Sequence, residues 1–198
     1  MKELIVATKN EGKVREFRQM FANYNISVKS LLDFEEEMED IEETGTTFSE
    51  NATIKAEAVS QQFQLPVVAD DSGLVIDALD GAPGVYSARY AGEEKDDAKN
   101  LQKVMQELQG VPREERTARF VCAVAVARPG EETFVKKGYC EGSIANEPSG
   151  ANGFGYDPIF IPKGSKRTMA EYSAEEKNSI SHRHHAIQQI EEWLKHQS

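Results

Sequence analysis

Cysteine is scarce: two residues, Cys122 and Cys140, in a chain of 198. They lack CxxC spacing and sit in apolar, strand-like stretches, so they read as buried thiols in a reducing cytosol. Long apolar runs are missing too. Leu4-Ile5-Val6-Ala7 is too short for a secretion signal or a membrane span, and the expectation is a cytoplasmic protein. No repeat, low-complexity tract or long linker occurs, which leaves a single domain over residues 1–198. Basic residues are outnumbered, 23 to 34, for a net charge of −11. So acidic a surface repels duplex phosphates and disfavours a nucleic-acid-binding module. A nucleotide ligand survives that argument, because a few cations and a metal ion reverse the field inside a cleft. Acidic residues crowd into 33–43 and basic ones into 163–185; a polarised cleft and a plain solvated surface both account for this.

What is present is ordinary for a soluble globular chain: 39% hydrophobic and 29% charged residues. Leu4–Thr8 reads as a buried strand and Lys13–Phe21 as a helix, with Val14, Phe17 and Phe21 on one stripe. Thr47-Phe48-Ser49-Glu50 fits a capping box, and the helix it opens carries Ala52, Ala56, Val59 and Phe63 at helical spacing. Pro66-Val67-Val68-Ala69 is a second apolar strand, expected to end at Asp70-Asp71-Ser72-Gly73. Asp96 or Asp97 caps a helix presenting Leu101, Val104, Met105 and Leu108. The period then changes: Arg119–Ala127 and Thr133–Cys140 flank Pro129-Gly130 and read as a β-hairpin. A Gly-rich loop from Ser149 to Asp157 precedes a strand over Ile159–Ile161. Ser181 caps a final helix whose Ile187, Ile190 and Leu194 face the core. The class is α/β with a mixed, twisted central sheet and flanking helices, not a purely parallel doubly wound sheet.

Five segments could carry chemistry. Thr8-Lys9-Asn10-Glu11-Gly12-Lys13 lies between strand and helix, where unpaired N–H groups and the dipole suit phosphate. It fails both the GxxxxGK[ST] and the dinucleotide patterns, and a bare strand–helix turn would also use Asn and Gly. Asp70-Asp71-Ser72-Gly73 offers the carboxylates a hard Mg²⁺ ion needs at a strand end; alternation lets only one of the pair face a cleft directly, and an Asx-type turn is the plainer use. In Glu42-Glu43-Thr44-Gly45 a carboxylate could complete a metal site, whereas Glu35-Glu36-Glu37 reads as a solvated acidic run. Phe154, between Gly153 and Gly155 and before Tyr156-Asp157, is exposed by its own loop and suited to stacking on a base, unless it folds back into the core. Lys177 and the run Ser181-His182-Arg183-His184-His185 place donors at a helix start, suited to a purine O6 or an anion; zinc is disfavoured because consecutive side chains fan apart. No Ser-His-Asp ordering or reactive cysteine environment suggests a covalent intermediate.

The order and wording of these segments carry more than any one of them. ATKNEGKVREF, EETGTTFSENATIKAEA, ADDSGLVIDALDGAPGVYSARYAG, RTARFVCAV, GFGYDPIF and EEKNSISHR together resemble the inosine triphosphate pyrophosphatase family, in its bacterial branch acting on dITP and XTP. The resemblance runs from Leu4 to Leu194. It implies an elongated two-lobed α/β fold with a substrate cleft between the lobes, a homodimer, Mg²⁺ as cofactor, and hydrolysis of ITP, dITP and XTP to the monophosphate and pyrophosphate. By the same resemblance Thr8, Lys9, Asn10, Glu11, Gly12 and Lys13 bind the polyphosphate, and Ser72 contacts substrate. Asp71 holds the metal and accepts the proton of the attacking water, with Glu42 the second metal carboxylate and Glu43 its rival. Phe154, Gly155, Tyr156, Asp157, Lys177, His182 and Arg183 hold the base and sugar. Hydrogen bonding then explains base choice: His182 and Arg183 would donate to the O6 of hypoxanthine or xanthine and would face an amino donor in adenine. The competing readings are a pyrophosphatase for modified pyrimidine nucleotides and a non-catalytic nucleotide-binding module.

Overall fold

The computed structural model describes residues 2–34 and 41–197; the run Glu35-Glu36-Glu37 lies outside them. The elements are β1 (Lys2–Val6), α1 (Glu11–Ala22), β2 (Ile26–Ser30), α2 (Phe48–Phe63), β3 (Val67–Ile76), α3 (Asp97–Glu107), β4 (Thr117–Ala127), β5 (Phe134–Ile144), β6 (Phe160–Pro162), α4 (Ala174–Ile180), α5 (His182–Gln188) and α6 (Glu191–Gln197). The strands form one sheet in the order β2-β1-β3-β4-β5-β6. It is mixed: β1 runs parallel to β2 and β3, while β5 and β6 pair antiparallel.

Local signals set most boundaries. Asn10 caps α1 through its side chain, Thr47 and Glu50 close the expected capping box on α2, and Asp96 caps α3. Strand β2 was not anticipated, although Ile26, Val28 and Ser30 alternate inward along it. Two expectations need correction. Strand β3 does not stop at Asp70 but continues through Asp70-Asp71-Ser72-Gly73 to Ile76, well past its pairing with β1 at Val67 and Val68, because its place beside β4 in the sheet overrides the local turn preference of Asp, Ser and Gly. The final helix expected after Ser181 is two short ones, α5 and α6, with α4 ahead of them. Ser181 has an extended backbone and closes α4, its N–H bonded to the Lys177 carbonyl. Ile187, Ile190 and Leu194 are buried as expected.

Contacts divide the chain into two compact units: Met1–Asp71, Cys122–Gly138 and Arg183–Ser198 form the first, Ser72–Val121 and Tyr139–His182 the second. In the first, strand alternation sorts side chains to two faces. Leu4, Val6, Val68, Cys122, Val124 and Val126 pack with Phe17 and Phe21 of α1 and with Ile187 and Leu194. Ile5, Ala7, Val67, Ala69, Ala123 and Ala125 pack with Ala52, Ala56 and Val59 of α2. The parity of a residue in β3 therefore decides which helix it meets.

The core of the second unit gathers Leu74, Ile76, Val104, Leu108, Phe120, Ile144, Ile159 and Phe160. Beside it Arg116 is buried, donating from Nε to the Val111 carbonyl at 3.0 Å, from Nη1 to Ala145 at 3.2 Å and from Nη2 to Leu108 at 2.9 Å. One guanidinium thus satisfies three carbonyls where strand and loops meet. Arg116→Met keeps the bulk and removes the guanidinium donors; the Leu108 carbonyl still accepts the Val111 N–H at 3.1 Å, while the Val111 and Ala145 carbonyls lose theirs at roughly 1–3 kcal/mol each. Urea unfolding is expected to show a loss of about 2 kcal/mol or more for this variant; a midpoint equal to wild type would mean the carbonyls find other donors.

Candidate active site

The first loop is built on a helix start. Asn10 Oδ1 accepts from Lys13 N at 3.0 Å, and Asn10 N donates to Thr8 Oγ1 at 3.1 Å. Thr8 and Gly12 are buried, while Lys9, Asn10 and Glu11 are exposed. Their order leaves polar side chains and the start of α1 facing outward from a buried strand end, which is the geometry of an anion site. The ammonium of Lys13 is already engaged, 3.0 Å from Asp70 Oδ2.

Alternation separates the two aspartates as expected, but both are buried. Asp70 shares the parity of Val68 and meets the α1 face: Arg183 Nη2 donates to its Oδ2 at 2.9 Å, and Cys122 Sγ lies 3.8 Å from the same oxygen. Arg183 Nη1 bonds Glu16 of α1. Burial pushes the Asp70 carboxyl up, but Lys13, Arg183 and Lys55 outweigh it and hold the pKa far below the usual carboxylate range. Asp71 has the parity of Ala69 and meets α2, where Asn51 Nδ2 donates to its Oδ2 at 3.1 Å. Burial raises its pKa; Lys55 and Lys13 oppose that, and Glu43 adds to it. Lys55, one turn beyond Asn51, pairs with Glu43 at 2.7 Å. Burial works against its charge, yet Asp70, Glu43 and Asp71 together raise its pKa.

In the second unit, Lys177 Nζ lies 2.5 Å from Asp157 Oδ2 and 4.6 Å from the centroid of the Phe154 ring. Asp157 Oδ2 also accepts the Phe154 N–H at 3.0 Å. The loop needs its glycine: a Cβ on Gly153, whose φ is +75°, would stand 2.0 Å from Asp157 Oδ2. Asp97 accepts the Gly155 N–H at 2.9 Å, and the Tyr156 hydroxyl donates to the Ser87 carbonyl at 2.7 Å. Phe154 is half-buried, so it neither stands free nor enters the core. His182 stacks on Phe120, ring centroids 4.8 Å apart and 16° from coplanar. Ser72 is half-buried within β3.

Phe154, Asp157 and Lys177 therefore meet directly, as do Lys13, Asp70 and Arg183. The guanidinium of Arg183, expected at a base, is 1% exposed, and both terminal nitrogens hold carboxylates of the first unit. Sequence reasoning missed Glu16, Asn51, Lys55 and Phe120. A charged Glu16 one turn from Lys13, amid an otherwise apolar stripe, was the available signal; so was the Asn51–Lys55 spacing of one turn on α2.

Glu42 is exposed, whereas Glu43 is held by Lys55. Among the described residues no group of three or more His, Cys, Asp or Glu side chains is placed to hold a metal ion. A hard cation such as Mg²⁺ does not need one, since one or two carboxylates, phosphate oxygens and water complete its shell. Asp71 fits that donor set, and Glu42 has a carboxylate that no described ion pair uses.

A helix start, two lysines and a buried carboxylate pair are thus gathered at the centre of the first unit. The chain belongs to the Ham1 family, which it matches over residues 4–193. It is 62% identical over 194 residues to a protein of Halalkalibacterium halodurans named dITP/XTP pyrophosphatase, covering 98% of this chain and 100% of that one. A protein of the same name from Oceanobacillus iheyensis is 58% identical, covering 98% of each chain. The Staphylococcus aureus Ham1 protein superposes with a TM-score of 0.86 at 43% identity, over 100% of both chains.

The folded pKa of Asp70 lies below its ordinary value of 3.8. Its contribution to stability is therefore complete above that value and lost as pH falls through it toward the folded pKa. Wild-type unfolding free energy is expected to decline steeply below about pH 4. Asp70→Asn should flatten that limb and cost about 3–5 kcal/mol at neutral pH, since buried cations lose their counter-charge. Urea unfolding across pH 3–7 measures both, and a variant as stable as wild type would remove Asp70 from this role.

Proposed function

We propose that the chain hydrolyses deaminated purine nucleoside triphosphates (ITP, dITP and XTP) to the monophosphate and pyrophosphate. The observation that carries this reading is the Asp71 carboxylate, buried, oriented by Asn51 and flanked by Lys55 and Lys13. The same name borne by relatives of 62% and 58% identity supports the substrate class.

The chemistry divides between the units. In the first, Lys13 and the N–H groups at the start of α1 offset charge on the β and γ phosphates, with Thr8, Lys9, Asn10, Glu11 and Gly12 shaping the loop. Asp71 orients a water toward the scissile phosphorus and takes its proton. Asp71 and Glu42 would hold Mg²⁺, which when bound supplies charge neutralisation on the leaving pyrophosphate. Glu43 keeps Lys55 in place. In the second unit Phe154 stacks on the base, Gly155 and Tyr156 shape the loop, and Ser72 contacts substrate. Lys177, fixed by Asp157, donates together with His182 to acceptors of base and sugar. Adenine offers an amino donor where hypoxanthine offers O6, and that mismatch rejects ATP. Arg183 enters the mechanism through Asp70 and Glu16 instead of touching O6 with its terminal nitrogens. A cytoplasmic homodimer belongs to the same reading; among the described residues no helix is long and apolar enough to cross a membrane.

A pyrophosphate-release assay over ITP, dITP, XTP, GTP, ATP, dUTP and dTTP, with and without Mg²⁺, tests the reading. Release is expected from the first three and only with the metal; no release from any triphosphate would leave a binding module, and preference for the pyrimidines would reverse the base assignment. Asp71→Asn is expected to lower turnover at least ~100-fold, the range for loss of a positioned proton acceptor. Glu42→Gln should raise the Mg²⁺ concentration needed for half-maximal rate, whereas Glu43→Gln should not; the opposite pattern would hand the metal to Glu43.

A further inference from the structure

Asp70 is held through one oxygen. Arg183 Nη2 at 2.9 Å and Lys13 Nζ at 3.0 Å both contact Oδ2, while buried Oδ1 has no hydrogen-bond partner among the described residues. A guanidinium beside a buried carboxylate ordinarily closes on both oxygens, with two parallel N–H bonds. Here the second terminal nitrogen is taken by Glu16. Glu16 is itself buried, 7% exposed, three residues after Lys13 on the same helix. A charge in that place is costly unless paired, and an apolar side chain would extend the Val14-Phe17-Phe21 stripe.

The geometry points to Glu16 as a positioning residue: by holding one nitrogen of Arg183 it prevents a two-pronged Arg183–Asp70 pair and leaves Asp70 Oδ2 to anchor Lys13. Lys13 and Glu16 are three residues apart on α1, and Asp70 and Arg183 close the circuit between them. The ammonium is thereby fixed at the start of α1 before any phosphate arrives. This rests on the phosphate-binding role given to Lys13 above. Glu16 touches no substrate. Without its charge, both terminal nitrogens of Arg183 can turn to Asp70, the carboxylate rotates to meet them, and Oδ2 no longer stands where it fixes Lys13.

The test is steady-state kinetics of Glu16→Gln with ITP and ATP, beside urea unfolding of the same protein. Glutamine keeps the shape and one acceptor but not the charge. Misplacing a phosphate-holding group by about an ångström can cost ~100-fold in rate, so kcat for ITP is expected to fall ~10- to 100-fold. The ITP/ATP ratio of kcat/KM should stay within about twofold, because no base contact changes. Glu16→Asp, which keeps the charge, should recover part of kcat. In a Lys13→Met background the Glu16→Gln loss should vanish, the non-additivity expected of a residue acting through another. A wild-type kcat in Glu16→Gln, or a full additional loss in the Lys13→Met background, would overturn the assignment and leave Glu16 a fold element only. Should Glu16→Gln fail to fold, the cycle is run with Glu16→Asp, and additivity overturns the assignment equally. A wild-type enzyme that releases no pyrophosphate from ITP, dITP or XTP would instead remove the proposed function itself.

Discussion

Asp70 Oδ2 accepts from Arg183 at 2.9 Å and lies 3.0 Å from Lys13, so two helices, α1 and α5, are fastened to one atom of the central sheet. A carboxylate without any exposure would ordinarily give up its charge, since no solvent remains to stabilise it. Here the cations around it reverse that outcome. The balance also works in the other direction, because Arg183 at 1% exposure needs Asp70 and Glu16 as much as they need it. Removing any single member leaves an uncompensated charge in the interior. The core of the first unit thus encloses a charge cluster immediately beside the Asp71 carboxylate.

Strand parity keeps the cluster from collapsing into one undifferentiated set of charges. Asp70 and Asp71 are adjacent in sequence, yet their partners come from opposite faces: Arg183, Lys13 and Cys122 for one, Asn51 for the other. One aspartate is committed to the charge cluster and the other is held by a neutral amide on α2. In the second unit the division is different, with Asp157 holding Lys177 and the Phe154 N–H through the same oxygen. That single acceptor sets the loop conformation and the position of the ammonium over the ring together.

Much of this was legible in the sequence where the cause is local. Thr47 and Glu50 lie three residues apart at a helix start, and nothing distant is needed to make them cap. The same holds for Asn10 and Asp96, and for the inward stripe of Ile187, Ile190 and Leu194. The α/β class and the mixed sheet followed from the order of elements and the change of period at Arg119–Ala127. What escaped depended on partners far along the chain. Strand β3 continues through a turn-like tetrapeptide because it lies beside β4 in the sheet. The role of Glu16 could not be read from α1 alone, since its partner is 167 residues away. Arg183 was read as a ligand contact because donors at a helix start suit an acceptor such as a purine O6; that Glu16 and Asp70 also lie against it appears only in the folded chain.

The two cysteines, one per unit, have a practical consequence of their own. Burial pushes the Cys140 thiol up to about 11, and burial together with the nearby Asp70 carboxylate carries Cys122 higher still. Thiolate is the form that alkylating reagents attack, so native protein near neutral pH withholds both sulfurs from them. Each becomes reactive only when its own surroundings open. Mass-resolved alkylation at Cys122 and Cys140 therefore follows the breathing of each half of the molecule separately, with no label introduced and no residue replaced.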